Sequence, residues 1–294
     1  MTVLVVGDVI DDIVVRPLRP TAPDTDTPSA ITAGPGGSGA NQAAWLGALG
    51  ARVRFAGRVG AADAAAHTAA LAASGVDARL AADPGAPTGR IVVLARGGRR
   101  DMYTDRGANL NLCAADLPDD LLDGVTLLHV SGYSLFQPGV RAAAGDLMRR
   151  ARERGAETSV DPASAAFLAD AGPAAFRAWA RGARLIFPNL DEGRLLTGAR
   201  EPAAVAAALL EDHPVVALKL GAEGALVAAR DGTRLALPSA PAEVVDPTGA
   251  GDAFCAGFLA GWAAGRPLED CARGAVAAAG RAVAAVGARP RKEF

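Results

Sequence analysis

Residues 244–258, VVDPTGAGDAFCAGF, hold the side chains best suited to chemistry in this 294-residue chain. Gly249 and Gly251 flank Ala250, so the backbone can turn tightly and aim successive N–H groups into one concavity. Phe254, Phe258 and Trp262 then recur every four residues, the spacing of one helical face. Gly265 and Pro267 supply stop signals. The helix therefore starts at the glycine turn, and the positive end of its dipole reinforces an anion hole. Asp252 sits at the lip of that hole, in the first helical turn. The arrangement suits phosphoryl transfer: amides hold the developing phosphate charge while the carboxylate takes a proton from an attacking hydroxyl. The plainer reading is a carboxylate that only caps its helix.

A second glycine cluster, Gly34-Pro35-Gly36-Gly37-Ser38-Gly39, formally fits G-x-G-x-x-G. It does not follow the first strand, and no acidic residue lies about 20 positions on to hold a ribose, so a dinucleotide site is rejected. It reads instead as a turn opening a helix over residues 40–49, closed by Gly50. Its glycines admit a ligand close to backbone, and the Asn41 amide can both donate to and accept from a sugar.

These groups need a frame. Val3-Leu4-Val5-Val6, ended by Gly7, is an apolar run that fits a buried parallel strand. Asp8, Asp11 and Asp12 follow at its C-terminal end, where open α/β sheets bind ligands; Asp8 and Asp11 read as a solvated acidic turn. Residues 53–56 make a second strand and 64–74 a helix. Segments 88–94 and 101–104 are β, joined by the hairpin signal Gly97-Gly98. From residue 126 the alternation is regular, with strands at 127–130, 158–160, 185–187 and 215–218 and helices at 140–153 and 268–286. Such spacing argues for βαβ units and a parallel sheet.

Asp246-Pro247-Thr248-Gly249-Ala250-Gly251-Asp252-Ala253-Phe254 resembles the C-terminal signature of the ribokinase-like (PfkB) carbohydrate kinases. Gly36-Gly37-Ser38-Gly39-Ala40-Asn41-Gln42-Ala43 resembles their N-terminal glycine motif, and further landmarks fall between in the family's order. The resemblance implies one ribokinase-like domain over 1–294: a three-layer α/β/α fold with a mostly parallel sheet and a small β lid from insertions at about 13–34 and 88–106. It implies ATP and Mg²⁺ as cofactors. Asp252 would be the base, with Gly249, Ala250 and Gly251 as the anion hole. Asp12, Gly37, Ser38 and Asn41 would bind the acceptor, Asp12 gripping two adjacent hydroxyls. Asn189 and Glu192 match the N-x-x-E motif that organises phosphate and magnesium-bound water. Lys219, Gly221 and Gly224 match the nucleotide loop, and helix 268–286 would wall the adenine pocket. Asp246 and Thr248 match positions that hold K⁺, with the backbone of Ala282, Ala285 and Gly287 opposite. A homodimer through the lid is also expected on this resemblance.

The chain departs from the pattern in three places. Ala61-Ala62 stands where Gly-Asp or a similar pair is usual, Ser38 where ribokinases proper carry Lys, and no acidic residue follows Ser131-Gly132. The acceptor is therefore left as a sugar or a nucleoside. A non-catalytic sugar-binding regulator is the alternative from another class; it would have no need of a base at the anion hole, and turnover separates the two.

Composition excludes other classes. With 30 basic against 32 acidic residues, a net charge of −2 and no basic tract, nucleic acid and anionic membranes have no electrostatic hold. The longest charge-free apolar segment, 253–265, is too short to span a bilayer. No Walker pattern occurs. Residues are 50% hydrophobic but only 4% aromatic, so the core must be Ala, Val and Leu. Cys113, Cys255 and Cys271 lack metal-ligand spacing and read as reduced thiols of a cytoplasmic protein. No signal peptide is expected, because Asp8 interrupts the first apolar run and no basic segment precedes it. His67, His129 and His213 are scattered and read as structural.

Overall fold

The computed structural model describes residues 1–96 and 99–291. Its strands are, in chain order, β1 (Thr2–Val6), β2 (Ile10–Pro17), β3 (Ser29–Gly36), β4 (Arg52–Gly60), β5 (Val76–Asp83), β6 (Gly89–Arg96), β7 (Arg99–Asp105), β8 (Val125–Ser131), β9 (Glu157–Asp161), β10 (Leu185–Ile186), β11 (Val215–Lys219), β12 (Ala225–Ala229) and β13 (Arg234–Leu237). They form a nine-stranded sheet, β13-β12-β11-β10-β9-β8-β1-β4-β5, and a four-stranded sheet, β3-β2-β6-β7. The large sheet is parallel from β5 to β11 and antiparallel only at β12 and β13. The expected Gly97-Gly98 turn lies outside the described residues.

Both faces of the large sheet are covered, which is why β1 is a continuous apolar run rather than an alternating one. Val3 and Val5 pack into one buried cluster with the helices Ser38–Ala48, Ala250–Ala263 and Leu268–Val283. Leu4 and Val6 point the other way, against the helices Pro138–Glu153 and Pro202–Leu209. The result is the three-layer α/β/α arrangement. An alanine-rich core forces close helix approach: a Cβ on Gly257 would strike the Gly274 carbonyl, so those two helices meet backbone to backbone.

Three boundaries differ from the sequence reading. The helix expected at 40–49 starts at Ser38, which carries Ser38 itself into its first turn. The last helix ends at Val283 rather than 286, because Val245 and Asp246 N–H groups take up the Val283 carbonyl and the chain turns away. Asp12 is not at the end of the first strand: β1 stops at Val6, and Asp12 lies within β2, opposite Gly34 and Ile91 in the four-stranded sheet.

The C-terminal ends of the parallel strands meet at one edge. Gly7 and Asp8 follow β1, Ser131 ends β8, Asp161 ends β9, Asn189 follows β10 and Lys219 ends β11. That edge is where such sheets bind ligands. Among the described residues no helix is long and apolar enough to cross a membrane.

Candidate active site

Gly249 precedes the helix Ala250–Ala263 with φ +78°, a left-handed conformation natural to glycine, and a Cβ there would lie 2.6 Å from Ala288 Cα. Asp252 follows in the first turn but caps nothing, since that helix has no side-chain cap bond. Its carboxylate instead reaches the glycine motif. Ser38 Oγ donates to Asp252 Oδ1 at 2.6 Å and Asn41 Nδ2 donates to Oδ2 at 3.0 Å. Burial pushes Asp252 up to about 7, against these two donors. Ala250 N–H turns back on the Pro247 carbonyl at 3.4 Å. The later N–H groups of that first turn are the ones the helix leaves for a ligand.

Beneath Asp252 runs a buried polar network that joins Gln42, Asp161 and Cys255 to Lys219. Gln42 Nε2 donates to Ser38 Oγ at 3.3 Å and to Asp161 Oδ2 at 3.2 Å. Asp161 also takes Lys219 Nζ at 3.0 and 3.2 Å and the Cys255 thiol at 3.1 Å. Burial alone would push the Lys219 ammonium down, but Asp161, Cys255 and Glu192 hold it well above the usual lysine range. His129 is wholly buried between Gln42 Oε1 and Ser159 Oγ, and burial lowers it to about 4, so it stays neutral. The available clue was Gln42, a polar residue one helical turn after Ser38 on a face otherwise made of Ala, Trp and Leu.

Lys219, Gly221, Gly224, Gly251, Phe254 and Val283 border a cavity of about 380 Å³. The last helix walls it through Val276, Ala279 and Gly280 as well. Asn189 and Glu192 are not among its lining residues, although Asn189 pairs with the lining residue Lys219 in a parallel bridge. They form a capping box at the start of the helix Leu190–Thr197: Asn189 Oδ1 accepts from Glu192 N at 2.9 Å, and Glu192 Oε2 accepts from Asn189 N at 2.8 Å. Glu192 Oε1 takes Asn189 Nδ2 at 2.7 Å. Burial raises Glu192 to about 7, with Lys219 opposing.

On the other side of Asp252 lies the ground between the two sheets. Asp12 presses on the backbone of Gly36, where a Cβ would collide with the carboxylate. Burial and Asp8 raise Asp12 to about 6, with Arg289 opposing. Arg289, which the sequence reading missed, donates from Nε to Asn41 Oδ1 at 3.4 Å and from Nη2 to the Gly36 carbonyl at 3.2 Å. Gly37 is the N-cap residue of the helix Ser38–Ala48, at φ +90°. Asp8 is not a solvated turn residue: it is 3% exposed, accepts from Gly39 N–H at 3.0 Å and pairs with Arg106 at 3.1 Å. Ser131 Oγ lies 3.4 Å from it, so Asp8 is the carboxylate facing the strand end that lacks an acidic residue of its own. Asp11 contacts His67 Nε2 at 3.3 Å.

Asp246 ties the start of the anion turn to the chain end. Its Oδ1 accepts from Thr248 N and Oγ1, and its Oδ2 from Gly287 N at 3.1 Å. The residues expected on both sides of a monovalent cation site therefore meet. Among the described residues no group of three or more His, Cys, Asp or Glu could hold a metal ion by itself.

The chain as a whole is similar to known proteins. Bifunctional protein HldE of Shewanella sediminis is 30% identical over 301 residues, which span 97% of this chain but 60% of that protein. Cytidine kinase of Thermococcus kodakarensis is 47% identical over 94 residues, 30% of this chain and 33% of that one. The chain thus matches less than two thirds of the length of either relative. Adenosine kinase from Sinorhizobium meliloti superposes with a TM-score of 0.87 at 28% identity, covering 98% of this chain and 95% of that structure. The family description "pfkB family carbohydrate kinase" matches residues 2–293. The chain belongs to the pfkB family of carbohydrate kinases, a family of ATP-dependent kinases.

Proposed function

We propose that this protein transfers the γ-phosphoryl group of ATP to a hydroxymethyl group of a sugar or sugar derivative. One observation carries the reading: the Asp252 carboxylate sits in the first turn of the helix whose Ala250, Gly251 and Phe254 line the 380 Å³ cavity, and Ser38 and Asn41 of the glycine motif hold it. ATP would lie in the cavity with its adenine against the last helix and its phosphates over Gly249–Gly251. The acceptor would lie in a cleft bounded by Asp12, Gly37, Ser38 and Asn41.

Asp252 Oδ takes the hydroxyl proton as the acceptor oxygen closes on the γ-phosphorus. The bond from that phosphorus to the β-bridging oxygen breaks, and ADP leaves. Backbone N–H groups at the helix start hold the charge on the moving phosphoryl. Lys219 adds a cation on the cavity side, near Gly251. Mg²⁺ would be held with the ATP phosphates and by Glu192 through water: Glu192 is already bonded to Asn189, and among the described residues no cluster of three or more His, Cys, Asp or Glu could hold the ion directly. When bound it would neutralise phosphate charge. K⁺ would be held by Asp246 and Thr248 with the backbone of Ala282, Ala285 and Gly287, where it would steady the anion turn; the Gly287 N–H on Asp246 supports this.

A nucleoside acceptor is the second reading, favoured by the likeness to adenosine kinase and cytidine kinase. On this reading the four-stranded sheet is a lid over the acceptor, part of a single unit over 1–294. Its edge strands β3 and β7 expose Ile31, Met102 and Tyr103 at 64%, 68% and 61%, which supports a dimer through that sheet. Three free cysteines support a cytoplasmic setting. An ADP-release assay with ribose, fructose, adenosine and cytidine tests the reading. Acceptor-dependent ADP release is expected for at least one; none above the acceptor-free rate would leave the non-catalytic alternative.

A further inference from the structure

Arg289 sits in the loop after the helix Leu268–Val283, and that loop is fastened on three sides. Trp45 Nε1 donates to the Ala288 carbonyl at 2.9 Å, Gly287 N–H is held by Asp246, and Ala288 packs on Gly249. The guanidinium is thereby delivered to a fixed place between the anion turn and the four-stranded sheet. Two of its nitrogens are used, on Asn41 and on the Gly36 carbonyl. The third, Nη1, is buried and has no partner among the described residues. Asp12 and Asp11 act on the group only from a distance, and burial lowers it to about 10.

A buried charged donor without a partner is costly, and native folds rarely keep one without a use for it. Its surroundings say what that use is. Asn41 spends its oxygen on Arg289 and its amide on Asp252, so Nη1 belongs to a group two hydrogen bonds from the carboxylate that faces the anion turn. Asp12 leans on the Gly36 backbone while Arg289 Nη2 takes that residue's carbonyl. A pure acceptor and a pure donor therefore straddle one residue. Asp11 and Asp12 both act on this one guanidinium, and Asp8, Asp11 and Asp246 act on Asp12, so an anionic ligand group would meet more negative charge than positive.

We propose that Arg289 is an acceptor-binding and specificity-determining residue, its Nη1 donating to one oxygen of a neutral vicinal diol whose neighbouring hydroxyl donates to Asp12. This rests on the kinase reading for the identity of the cleft. It adds a donor that discriminates between a diol and its deoxy counterpart, because the deoxy compound leaves Nη1 buried and unpaired.

The test is calorimetric binding of ribose and cytidine, and of 2-deoxyribose and 2′-deoxycytidine, to wild type, Arg289→Met and Arg289→Lys. Each is measured with a non-hydrolysable ATP analogue bound. Wild type should bind ribose or cytidine, and Arg289→Met should bind it about 10–100-fold more weakly, the worth of one hydrogen bond from a charged donor. The deoxy compound should bind wild type as poorly as the parent binds Arg289→Met, and Arg289→Lys should recover part of the loss. Affinity for the ATP analogue should stay within about twofold. Arg289→Met also takes away the donors to Asn41 Oδ1 and the Gly36 carbonyl, so it should melt somewhat below wild type while still binding the ATP analogue. No binding of either parent by wild type, or equal binding by Arg289→Met, overturns the proposal. So does a lower melting temperature with loss of the ATP analogue, which would make Arg289 a scaffold residue. ADP release by wild type on any acceptor upholds the kinase reading whichever way Arg289 behaves.

Discussion

Ser38 Oγ donates to Asp252 Oδ1 at 2.6 Å, although 214 positions separate them in the chain. The glycine motif that begins one helix thus holds the carboxylate that begins another. Ser38 stands where ribokinases proper carry lysine, and its proton goes to Asp252 rather than to solvent.

Ser38→Ala removes that donor. A hydrogen bond to the ionised carboxylate lowers its pKa, so the loss should move the acid limb of acceptor kcat/KM to higher pH. Activity at pH 7 should fall by roughly 3–10-fold and recover at higher pH, the effect of about one pKa unit at most. A fall that is equal at all pH values would mean that Ser38 acts on the fold or the acceptor instead.

Asp252 itself ties stability to pH. Its folded pKa of about 7 lies above the ordinary 3.8, so the folded state binds the proton more tightly than the unfolded chain. The contribution favours folding at low pH and is lost as pH rises from about 4 to about 7. Asp252→Asn should therefore melt above wild type at pH 8, with the gap closing toward pH 5. Thermal unfolding across that range checks the sign; a gap that widens on acidification contradicts it.

Lys219 and Asp161 form a buried ion pair at 3.0 Å under the anion turn. Lys219→Met leaves Asp161 charged and poorly compensated, and should cost about 3–5 kcal/mol in denaturant unfolding. The double variant Lys219→Met/Asp161→Asn should recover much of that cost, because neither charge is then left alone. Additive losses would show that the two act separately.

Asp246 joins Thr248 to Gly287, so a monovalent cation there would steady the anion turn without touching the acceptor. Replacing tetramethylammonium by K⁺ should raise kcat more than it changes acceptor KM, and Asp246→Ala should abolish the difference. Equal turnover of wild type in both salts rejects the site.

Much of this frame was legible in the sequence, for identifiable reasons. The runs Val3–Val6 and Val215–Leu218 are apolar throughout, which only strands buried on both faces require. The turn at Gly249–Gly251 with its helix was visible because glycine spacing and a four-residue aromatic repeat are local signals. Asp12 was misplaced because one short turn, Gly7 to Val9, divides two strands of different sheets and leaves no composition signal. Asp8 was read as solvated because its partners Gly39, Arg106 and Ser131 lie far along the chain. Gln42, Asp161 and Arg289 were missed for the same reason: each earns its place through long-range contacts, and none belongs to a pattern that repeats.

The most direct test of the account is the turnover number of Asp252→Asn, measured by ADP release with the acceptor found for wild type and with ATP binding followed by calorimetry. A lost general base predicts kcat lower by about 10²–10⁴-fold, with the fold and the ATP dissociation constant unchanged. A variant that keeps more than about half of wild-type kcat, far above the loss expected of a general base, would contradict the role of Asp252 and the reaction built on it.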